Sequence, residues 1–268
     1  MGSRIQIHRI AGDLMAVNSF VVVGPTGTVV VDAMLTIADA TKVHDAVAAA
    51  GRPLAGVVIT HGHPDHYAGL KHVTGGADVP IIAAAAVNEV IRADDAVKAA
   101  IVGPMMGEQW PPERLFPNTV AEPGASVELG GVSLRMEDIG PAESRHDTIW
   151  HLDDVSIFAG DLAYSRMHAY LYDGMWEAWL AALSKVNSEL KPGTTLYVGH
   201  GAPAGAELLA AQRAYIETFI QAISDTLDRD ETSRHDEVVR RMRRLVPGDD
   251  LLFLMELSIE PVALKLRS

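Results

Sequence analysis

His61-Gly62-His63-Pro64-Asp65-His66 is the most informative stretch of this chain, because six residues carry three imidazoles and one carboxylate. The stretch follows the apolar run 54–60, which predicts a buried strand that presents the cluster at its C-terminal end. Imidazole and carboxylate are ligands that suit Zn²⁺, and also Fe or Mn. Without a metal ion, four such polar groups would be crowded together at one strand end. The segment therefore predicts a metal site.

This HxHxDH pattern after a strand resembles the signature of the metallo-β-lactamase-fold superfamily, and later residues resemble that family in the same order. His146 resembles its third metal-binding histidine, Asp161 its bridging carboxylate and His200 its last histidine. Asp32, which closes a run of three valines, resembles an early aspartate of the family. The resemblance runs from about residue 15 to residue 202, which covers most of the chain.

The resemblance implies two metal sites that share one carboxylate. The ligands it implies are His61, His63 and His146 for the first metal, Asp65, His66 and His200 for the second, and Asp161 as the bridge. The implied cofactor is two Zn²⁺ per chain, with Fe or Mn as alternatives, because His and Asp ligands accept several metals. Asp32 is expected to accept a hydrogen bond from a ligand and so to hold it in place.

The implied chemistry is hydrolysis. A metal-bridging water whose pKa falls to roughly 7 would supply hydroxide that attacks a carbonyl polarised by the first metal. Asp65 is expected to orient this nucleophile and to relay its proton. Tyr164 lies three residues after Asp161, as a tyrosine does in the lactone-hydrolysing branch of the family. The resemblance implies a catalytic role for Tyr164 as a donor to the developing oxyanion, with packing under a loop as the alternative.

Residues 102–118 carry four prolines together with apolar side chains, which predicts a long loop that acts as a lid or a packed connector. Apolar and aromatic side chains here and near the predicted ligands favour an apolar acyl or ring substrate. The residues predicted to line this substrate pocket are Met34, Met105, Met106, Trp110, His168, Tyr170 and Trp176.

Composition limits the classes of partner. The 268 residues are 48% hydrophobic and 21% charged, which is ordinary for a globular protein with a sizeable core. The formal charge of −13 argues against a nucleic-acid partner, because phosphate backbones are bound mostly by Lys and Arg. There is no cysteine, so disulfides and thiolate ligands are excluded. A homodimer stays open, since the apolar segment 251–257 predicts either core packing or a dimer or lid contact.

Nothing in the sequence predicts a membrane span or a signal peptide. Residues 1–4 lack the long apolar core of a signal peptide, and no apolar stretch reaches about 18 residues. The expectation is a cytoplasmic protein that has no membrane partner.

The order of predicted elements is strands followed by a helix, twice over. Strands are predicted at 4–10, 14–23, 28–31, 56–60, 81–83, 126–129, 132–138, 148–152, 155–159 and 195–197, and helices at 37–50, 65–73, 85–99, 176–190 and 206–227. Layer rules allow two sheets faced by helices, and the resemblance selects an α+β fold, the four-layer αββα sandwich with two mixed β-sheets flanked by helices. We expect one domain over residues 1–268 with a helical C-terminal extension at about 228–268, whose last helix ends at Pro261.

The function predicted from these features is a dinuclear zinc-dependent hydrolase that opens a small carbonyl substrate, a lactone or an ester. A thioester hydrolase of the glyoxalase II type or a β-lactam hydrolase is the alternative. From another class, an iron-dependent oxidoreductase similar to the persulfide dioxygenases stays open, since it shares the fold and part of the ligands. A non-catalytic scaffold is disfavoured, because all seven ligand positions are filled.

Overall fold

The computed structural model describes residues 5–268. Residues 1–4 lie outside this range, and with them the beginning of the strand predicted at 4–10 and the segment on which the signal-peptide expectation rests. Among the described residues, no helix combines the length and the apolar character needed to cross a bilayer.

The first sheet has six strands in sequential order. They are β1 (Gln6–Ala11), β2 (Asn18–Val23), β3 (Thr28–Val31), β4 (Leu54–Val58), β5 (Ile81–Ala84) and β6 (Thr119–Ala121). The first three strands pair antiparallel, and β3 to β6 pair parallel. The side chains of β3 are buried along its whole length, as expected of a valine-rich strand that is covered on both faces.

The second sheet has five strands in the order β11-β10-β9-β8-β7. They are β7 (Ser126–Leu129), β8 (Val132–Gly140), β9 (Asp147–His151), β10 (Ser156–Tyr164) and β11 (Thr195–His200). Only β10 and β11 pair parallel; the other neighbours are antiparallel.

Helices cover the outer faces of both sheets. They are α1 (Ile37–Ala49), α2 (Pro64–Tyr67), α3 (Leu70–Thr74), α4 (Ala85–Met106), α5 (Trp176–Glu189), α6 (Glu207–Ser224), α7 (Glu231–Leu245) and α8 (Leu252–Arg267). One apolar core lies between the sheets and under α1, and a second lies between the second sheet and helices α5 to α8. The predicted αββα arrangement of two mixed sheets flanked by helices is therefore confirmed.

Hydrogen bonds join the two sheets where the strands carry the predicted ligands. Thr148 donates from both its backbone N–H (2.9 Å) and its hydroxyl (2.7 Å) to the carbonyl of Thr60. The buried Asn18 amide donates to the carbonyls of Val198 (2.8 Å) and Gly201 (2.6 Å). These ties fix the segment after β4 against β9, and β2 against the end of β11, so that ligands far apart in sequence share one location.

The prediction for residues 102–118 was wrong in its first part. Helix α4 does not end near Ala99 but continues through Pro104 to Met106, and a 3₁₀ turn follows at Gly107–Gln109. A proline inside a helix removes one backbone hydrogen bond and disfavours the preceding turn. Packing contacts can compensate for this cost, so that the helix continues. Here the Trp110 ring packs against Gly103, within 3.3 Å of the position a Cβ would take.

The C-terminal helices also differ from the sequence prediction. Helix α8 passes through Pro261 and ends at Arg267, because Val262 and Ala263 beyond the proline are fully buried and stabilise the last turns. In the apolar segment 251–257, Leu251, Leu252 and Met255 are buried while Phe253 and Leu257 are exposed. Helices α7 and α8 pack against each other and against α6. The division into one domain with a helical extension stays a prediction.

Candidate metal centre

The cluster 61–66 leaves the C-terminal end of β4 and turns directly into α2. His63 is the N-cap of that helix and Pro64 occupies its first turn, where the missing N–H costs nothing. Asp65 and His66 therefore stand in the first turn of α2, and their side chains point back toward the strand end. All four charged or polar side chains of the cluster are at most 8% exposed.

Asp65, His66, Asp161 and His200 meet on one side of the site. His200 Nε2 lies 3.3 Å from Asp65 Oδ2 and 3.2 Å from Asp161 Oδ2. His66 Nε2 lies 3.4 Å from Asp161 Oδ1. The positive φ of Gly160 (50°) lets the backbone bend just before Asp161, and an added Cβ there would lie 2.8 Å from the Thr60 hydroxyl. Geometrically, two overlapping groups can hold a metal ion here: Asp65, His66 and His200, and His61, His66 and Asp161.

The outer nitrogen of each of three histidines is held by a hydrogen-bond partner. His66 Nδ1 donates to Asp32 Oδ2 at 2.9 Å, and His200 Nδ1 donates to the carbonyl of Met15 at 3.0 Å. His61 Nδ1 donates at 3.0 Å to the hydroxyl of Thr60, which in turn donates to Asp32 at 2.8 Å. Each imidazole is therefore oriented through Nδ1, and its Nε2 faces the centre, where it could bind a metal ion.

His61 and His63 meet a carboxylate that the sequence analysis did not select. Glu143 Oε2 lies 2.9 Å from His63 Nδ1, without the alignment of a hydrogen bond, and 3.7 Å from His61 Nε2. The three residues form a further group able to hold a metal ion. His63 Nε2 faces Asp173 at 3.3 Å, a second residue that was missed. The presence of a metal-ligand residue type between β8 and β9 was the one available signal for Glu143; nothing in the sequence marks Asp173.

The structure places His146 apart from the other predicted ligands. Its imidazole Nε2 lies 3.0 Å from Asp138 Oδ2 on β8, and its side chain is 20% exposed. It belongs to none of the groups whose ligand atoms lie within reach of one ion among the described residues. The reason is local: the β8–β9 connection turns tightly, and its inward position is taken by Glu143.

Four buried ligand atoms of this site have no hydrogen-bond partner, as expected of atoms that bind a metal ion. His61 Nε2, His66 Nε2, Glu143 Oε2 and Asp161 Oδ1 are all buried and make no hydrogen bond. Leaving one such group unpaired costs about 1–3 kcal/mol, and a charged group costs more. Four of them converging on one space are explained when divalent cations occupy it, since nitrogen and carboxylate oxygen are suitable donors.

The electrostatics agree with this interpretation. Burial holds the pKa of His61 well below its ordinary value. Burial also opposes the charge of His200, but Asp161 and Asp65 outweigh it and raise the pKa of that imidazole to about 10. Burial raises the pKa of Glu143 to about 8. Opposite shifts among neighbouring groups are typical of functional sites.

Tyr164 lies between the two halves of the site. At the end of β10, its hydroxyl donates to Asp161 Oδ2 at 2.7 Å and lies 3.2 Å from Glu143 Oε1. Its ring stacks on His200 with 4.9 Å between centroids and an angle of 2° between planes. Burial, and then the charges of Asp161 and Glu143, raise the pKa of the phenol well above its ordinary value, so that the hydroxyl keeps its proton.

Comparison with known proteins identifies the family. The sequence model described as "Metallo-beta-lactamase superfamily" matches residues 12–214, which is more than half of the chain. The chain belongs to the metallo-β-lactamase superfamily. The resemblance seen in the HxHxDH segment is thereby confirmed, while the branch within the superfamily is not specified. No curated protein matched the chain.

Solved structures similar to this superfamily member share its fold at low sequence identity. A β-lactamase domain protein from Burkholderia ambifaria is 18% identical, with 98% of this chain and 86% of that chain covered at a TM-score of 0.69. A metallo-β-lactamase family protein from Thermus thermophilus is 17% identical, with 98% and 92% covered and a TM-score of 0.70. A double mutant of the sec-alkyl sulfatase PisA1 is 18% identical, with 97% and 48% covered and a TM-score of 0.64.

Three of the seven residues predicted to line a substrate pocket in this metallo-β-lactamase-superfamily chain are buried. Met34 is fully buried, and its carbonyl accepts a hydrogen bond from Gly69. His168 is also fully buried, with its ring nitrogens facing the Tyr215 hydroxyl (3.0 Å) and the carbonyl of Gly248 (3.2 Å). Trp176 is 8% exposed and packs under the Lys265 ammonium, 4.8 Å from the ring centroid. Local sequence placed these residues near the ligands, but tertiary packing buries them.

Of the remaining pocket residues, Tyr170 is the one beside the ligands. Its ring meets the His63 ring edge-on, with 5.4 Å between centroids. Met105 is 64% exposed on α4, and the half-buried Trp110 carries the Arg114 guanidinium 4.6 Å from its ring centroid. Met106 is half-buried at the end of α4. The role of these α4 residues in substrate binding stays a prediction.

Proposed function

We propose that this chain is a dinuclear zinc-dependent hydrolase that opens a small carbonyl substrate, a lactone or an ester. The observation that carries the proposal is the convergence of four buried, unpaired ligand atoms from His61, His66, Glu143 and Asp161. Zinc, when bound, lowers the pKa of water to roughly 7 and polarises a carbonyl, which is the chemistry this reaction needs.

The residues of the chain then have separate tasks. Asp65 is the ligand carboxylate with the most access to solvent, at 8% exposure, and it is placed to accept a proton from the attacking water. Asp161 lies between His66 and His200 and keeps both imidazoles turned toward the centre. Tyr164 keeps its proton and is the donor for the negative charge that develops on the carbonyl oxygen.

An aromatic pair supports an apolar substrate. Tyr170 stacks on Tyr172 with 5.8 Å between centroids and 6° between planes, and Tyr172 is 50% exposed. The pair extends from His63 to the surface and offers a flat apolar wall to an acyl chain or ring. Lactones and simple esters meet this description; a thioester is the second choice and a β-lactam the third.

An iron-dependent oxidoreductase similar to the persulfide dioxygenases is the alternative from another class. Two histidines with one carboxylate are also the ligands that non-haem iron prefers, and His61, His63 and Glu143 provide that set. The two functions differ in the metal that restores activity and in the consumption of oxygen.

The test uses protein stripped of metal by chelation and then reloaded with Zn²⁺, Mn²⁺ or Fe²⁺. Each form is assayed with a lactone, a carboxylic ester, a thioester, a β-lactam and an alkyl sulfate, the last because one matched structure is a sec-alkyl sulfatase. We expect Zn²⁺ to restore hydrolysis, with the lactone or the ester turned over fastest. His66→Ala should lose this activity, while the surface variant His235→Ala should keep it.

The oxidoreductase function would be supported, and the hydrolase function contradicted, by two results together. These are that no metal-loaded form hydrolyses any of the substrates, and that the Fe²⁺ form consumes oxygen when it is supplied with a persulfide. Hydrolysis confined to the thioester or the β-lactam would keep the hydrolase and move the substrate to the corresponding branch.

A further inference from the structure

The connection between β8 and β9 is built so that residue 143 points into the site. Asp147, at the start of β9, accepts hydrogen bonds from the backbone N–H of Ala142 (3.2 Å) and of Ser144 (2.9 Å) and from the Ser144 hydroxyl (3.1 Å). A further bond joins the Ala142 N–H to the Ser144 carbonyl. This compact turn leaves Glu143, which lies between its two anchored neighbours, with a fully buried side chain.

The two oxygens of the Glu143 carboxylate have different surroundings. Oε1 lies 3.2 Å from the Tyr164 hydroxyl, whose proton it shares with Asp161 Oδ2, the nearer acceptor at 2.7 Å. Oε2 has no hydrogen-bond partner and lies near His63 Nδ1 and His61 Nε2, at 2.9 and 3.7 Å. A hydrogen bond from the chain therefore orients one oxygen, and the other is available to bind a metal ion. Metal-binding carboxylates are commonly positioned in this way by a neighbouring donor.

His146 has none of these properties. Its side chain is partly exposed, and its Nε2 is already engaged by Asp138 at 3.0 Å. Two residues separate it from Glu143, and the turn held by Asp147 sends the two side chains in different directions.

We infer that Glu143, and not His146, completes the first metal site, which is then a two-histidine, one-carboxylate site formed by His61, His63 and Glu143. The inference depends on the proposed function only for the presence of metal ions. With Asp65 and Asp161, the two-metal centre gains a third ligand carboxylate, which offsets three of the four charges of two divalent ions. Replacing an imidazole by a carboxylate shifts the preference of a site toward harder ions such as Mn²⁺.

The test measures metal binding and not turnover. Metal-free wild-type protein, Glu143→Gln and His146→Gln are each titrated with ZnCl₂ by calorimetry, and bound zinc is counted by elemental analysis after dialysis. Wild-type protein and His146→Gln should bind about two equivalents. Glu143→Gln should keep zinc binding at the second site and bind zinc at the first site at least about 100-fold more weakly. Glu143→His, which returns an imidazole, should restore tight binding and lower the affinity for Mn²⁺ relative to Zn²⁺.

Two results overturn the inference. One is loss of an equivalent in His146→Gln; the other is retention of both equivalents at wild-type affinity in Glu143→Gln. Zinc kept at the second site and an unchanged circular dichroism spectrum show that Glu143→Gln remains folded. Wild-type protein that binds no metal overturns the proposed function as well, whereas wild-type binding with an unaffected Glu143→Gln overturns this inference alone.

Discussion

The Asp32 carboxylate accepts a hydrogen bond from His66 Nδ1 at 2.9 Å, and this contact determines which ring nitrogen of His66 faces the metal centre. Asp32 also accepts from the backbone N–H and the hydroxyl of Thr60, and that hydroxyl accepts from His61 Nδ1. One buried carboxylate thus orients two of the histidines. Asp32 adopts a left-handed backbone conformation (φ 59°), which Asp and Asn tolerate better than other side chains.

Asp32→Asn should weaken zinc binding with little change to the backbone, because Asn also tolerates the left-handed conformation. The amide keeps an oxygen for Thr60 but brings an N–H toward His66 Nδ1, so the imidazole loses its acceptor. We expect zinc affinity at the second site to fall by about 10–100-fold. Calorimetric titration of the metal-free protein measures this, with the exposed residue Asp78→Asn as the control. Equal zinc affinities in the two variants would show that Asp32 does not support the metal ligands.

Gly199→Ala should damage the centre from a position that provides no ligand. A Cβ at Gly199 would overlap Asp161 Oδ1 and lie 2.7 Å from His66 Cε1, so both ligands would have to move. We expect loss of the second zinc and a fall in stability of about 1–3 kcal/mol from overpacking. Gly248→Ala is the control, because its Cβ would meet nothing closer than 3.9 Å. Two zinc ions per chain in Gly199→Ala would contradict the assignment of Asp161 and His66 as zinc ligands.

Tyr164→Phe separates a role in the reaction from a role in packing. The ring and its stacking on His200 stay, while the hydroxyl that lies 2.7 Å from Asp161 is removed. If the phenol stabilises the developing oxyanion, kcat should fall by about 100-fold while the zinc content stays at wild-type level. The rate and the metal content are measured on the same sample, with Tyr197→Phe as a control outside the site. An unchanged kcat would show that Tyr164 is a packing residue. Loss of zinc would show that its hydroxyl serves to orient Asp161.

Glu137 gives a pH-dependent contribution to stability that is independent of the metal centre. Its carboxylate accepts from His151 at 2.9 Å and from Lys185 at 3.0 Å, and these contacts, that with His151 foremost, lower its pKa from 4.5 to about 2. A lowered folded-state pKa means that the unfolded chain binds more protons between these two values. The stabilisation is therefore complete above about pH 4.5 and is lost as the pH falls toward 2.

Glu137→Gln should accordingly lower the free energy of unfolding by about 1–2 kcal/mol near neutral pH, since the pair is partly screened by solvent. The deficit should shrink as the pH falls below about 4.5. Urea unfolding of the metal-free wild-type protein and the variant at a series of pH values measures it. A deficit that stays constant over that series would mean that Glu137 acts through packing and not through its charge.

The sequence was sufficient for the fold and for much of the centre, because a strand that ends in HxHxDH constrains both at once. The strand β4 and the proline at the start of α2 bring His61, His63, Asp65 and His66 together by local geometry alone. Asp161 and His200 were predicted as ligands from their resemblance to the family's later landmarks, and the structure places them on the neighbouring parallel strands β10 and β11.

Residues that depend on turns or tertiary burial could not be assigned in this way. Between β8 and β9 the direction of each side chain depends on the hydrogen bonds to Asp147, so the choice between Glu143 and His146 needed the structure. Met34 and His168 have suitable chemistry and positions in sequence, but the packing of distant elements buries them completely. The full length of α4 was not predicted, because Pro104 is typical of a helix end in sequence. The packing of Trp110 against Gly103 is visible only in the structure.

We propose that this chain holds two metal ions and uses them for hydrolysis. Elemental analysis of protein purified without added metal, with hydrolysis of the lactone and the ester measured on the same sample, tests both parts of this claim together. We predict about two zinc ions per chain and hydrolysis that chelation abolishes and zinc restores. One iron ion per chain with no hydrolysis of either substrate would contradict the claim.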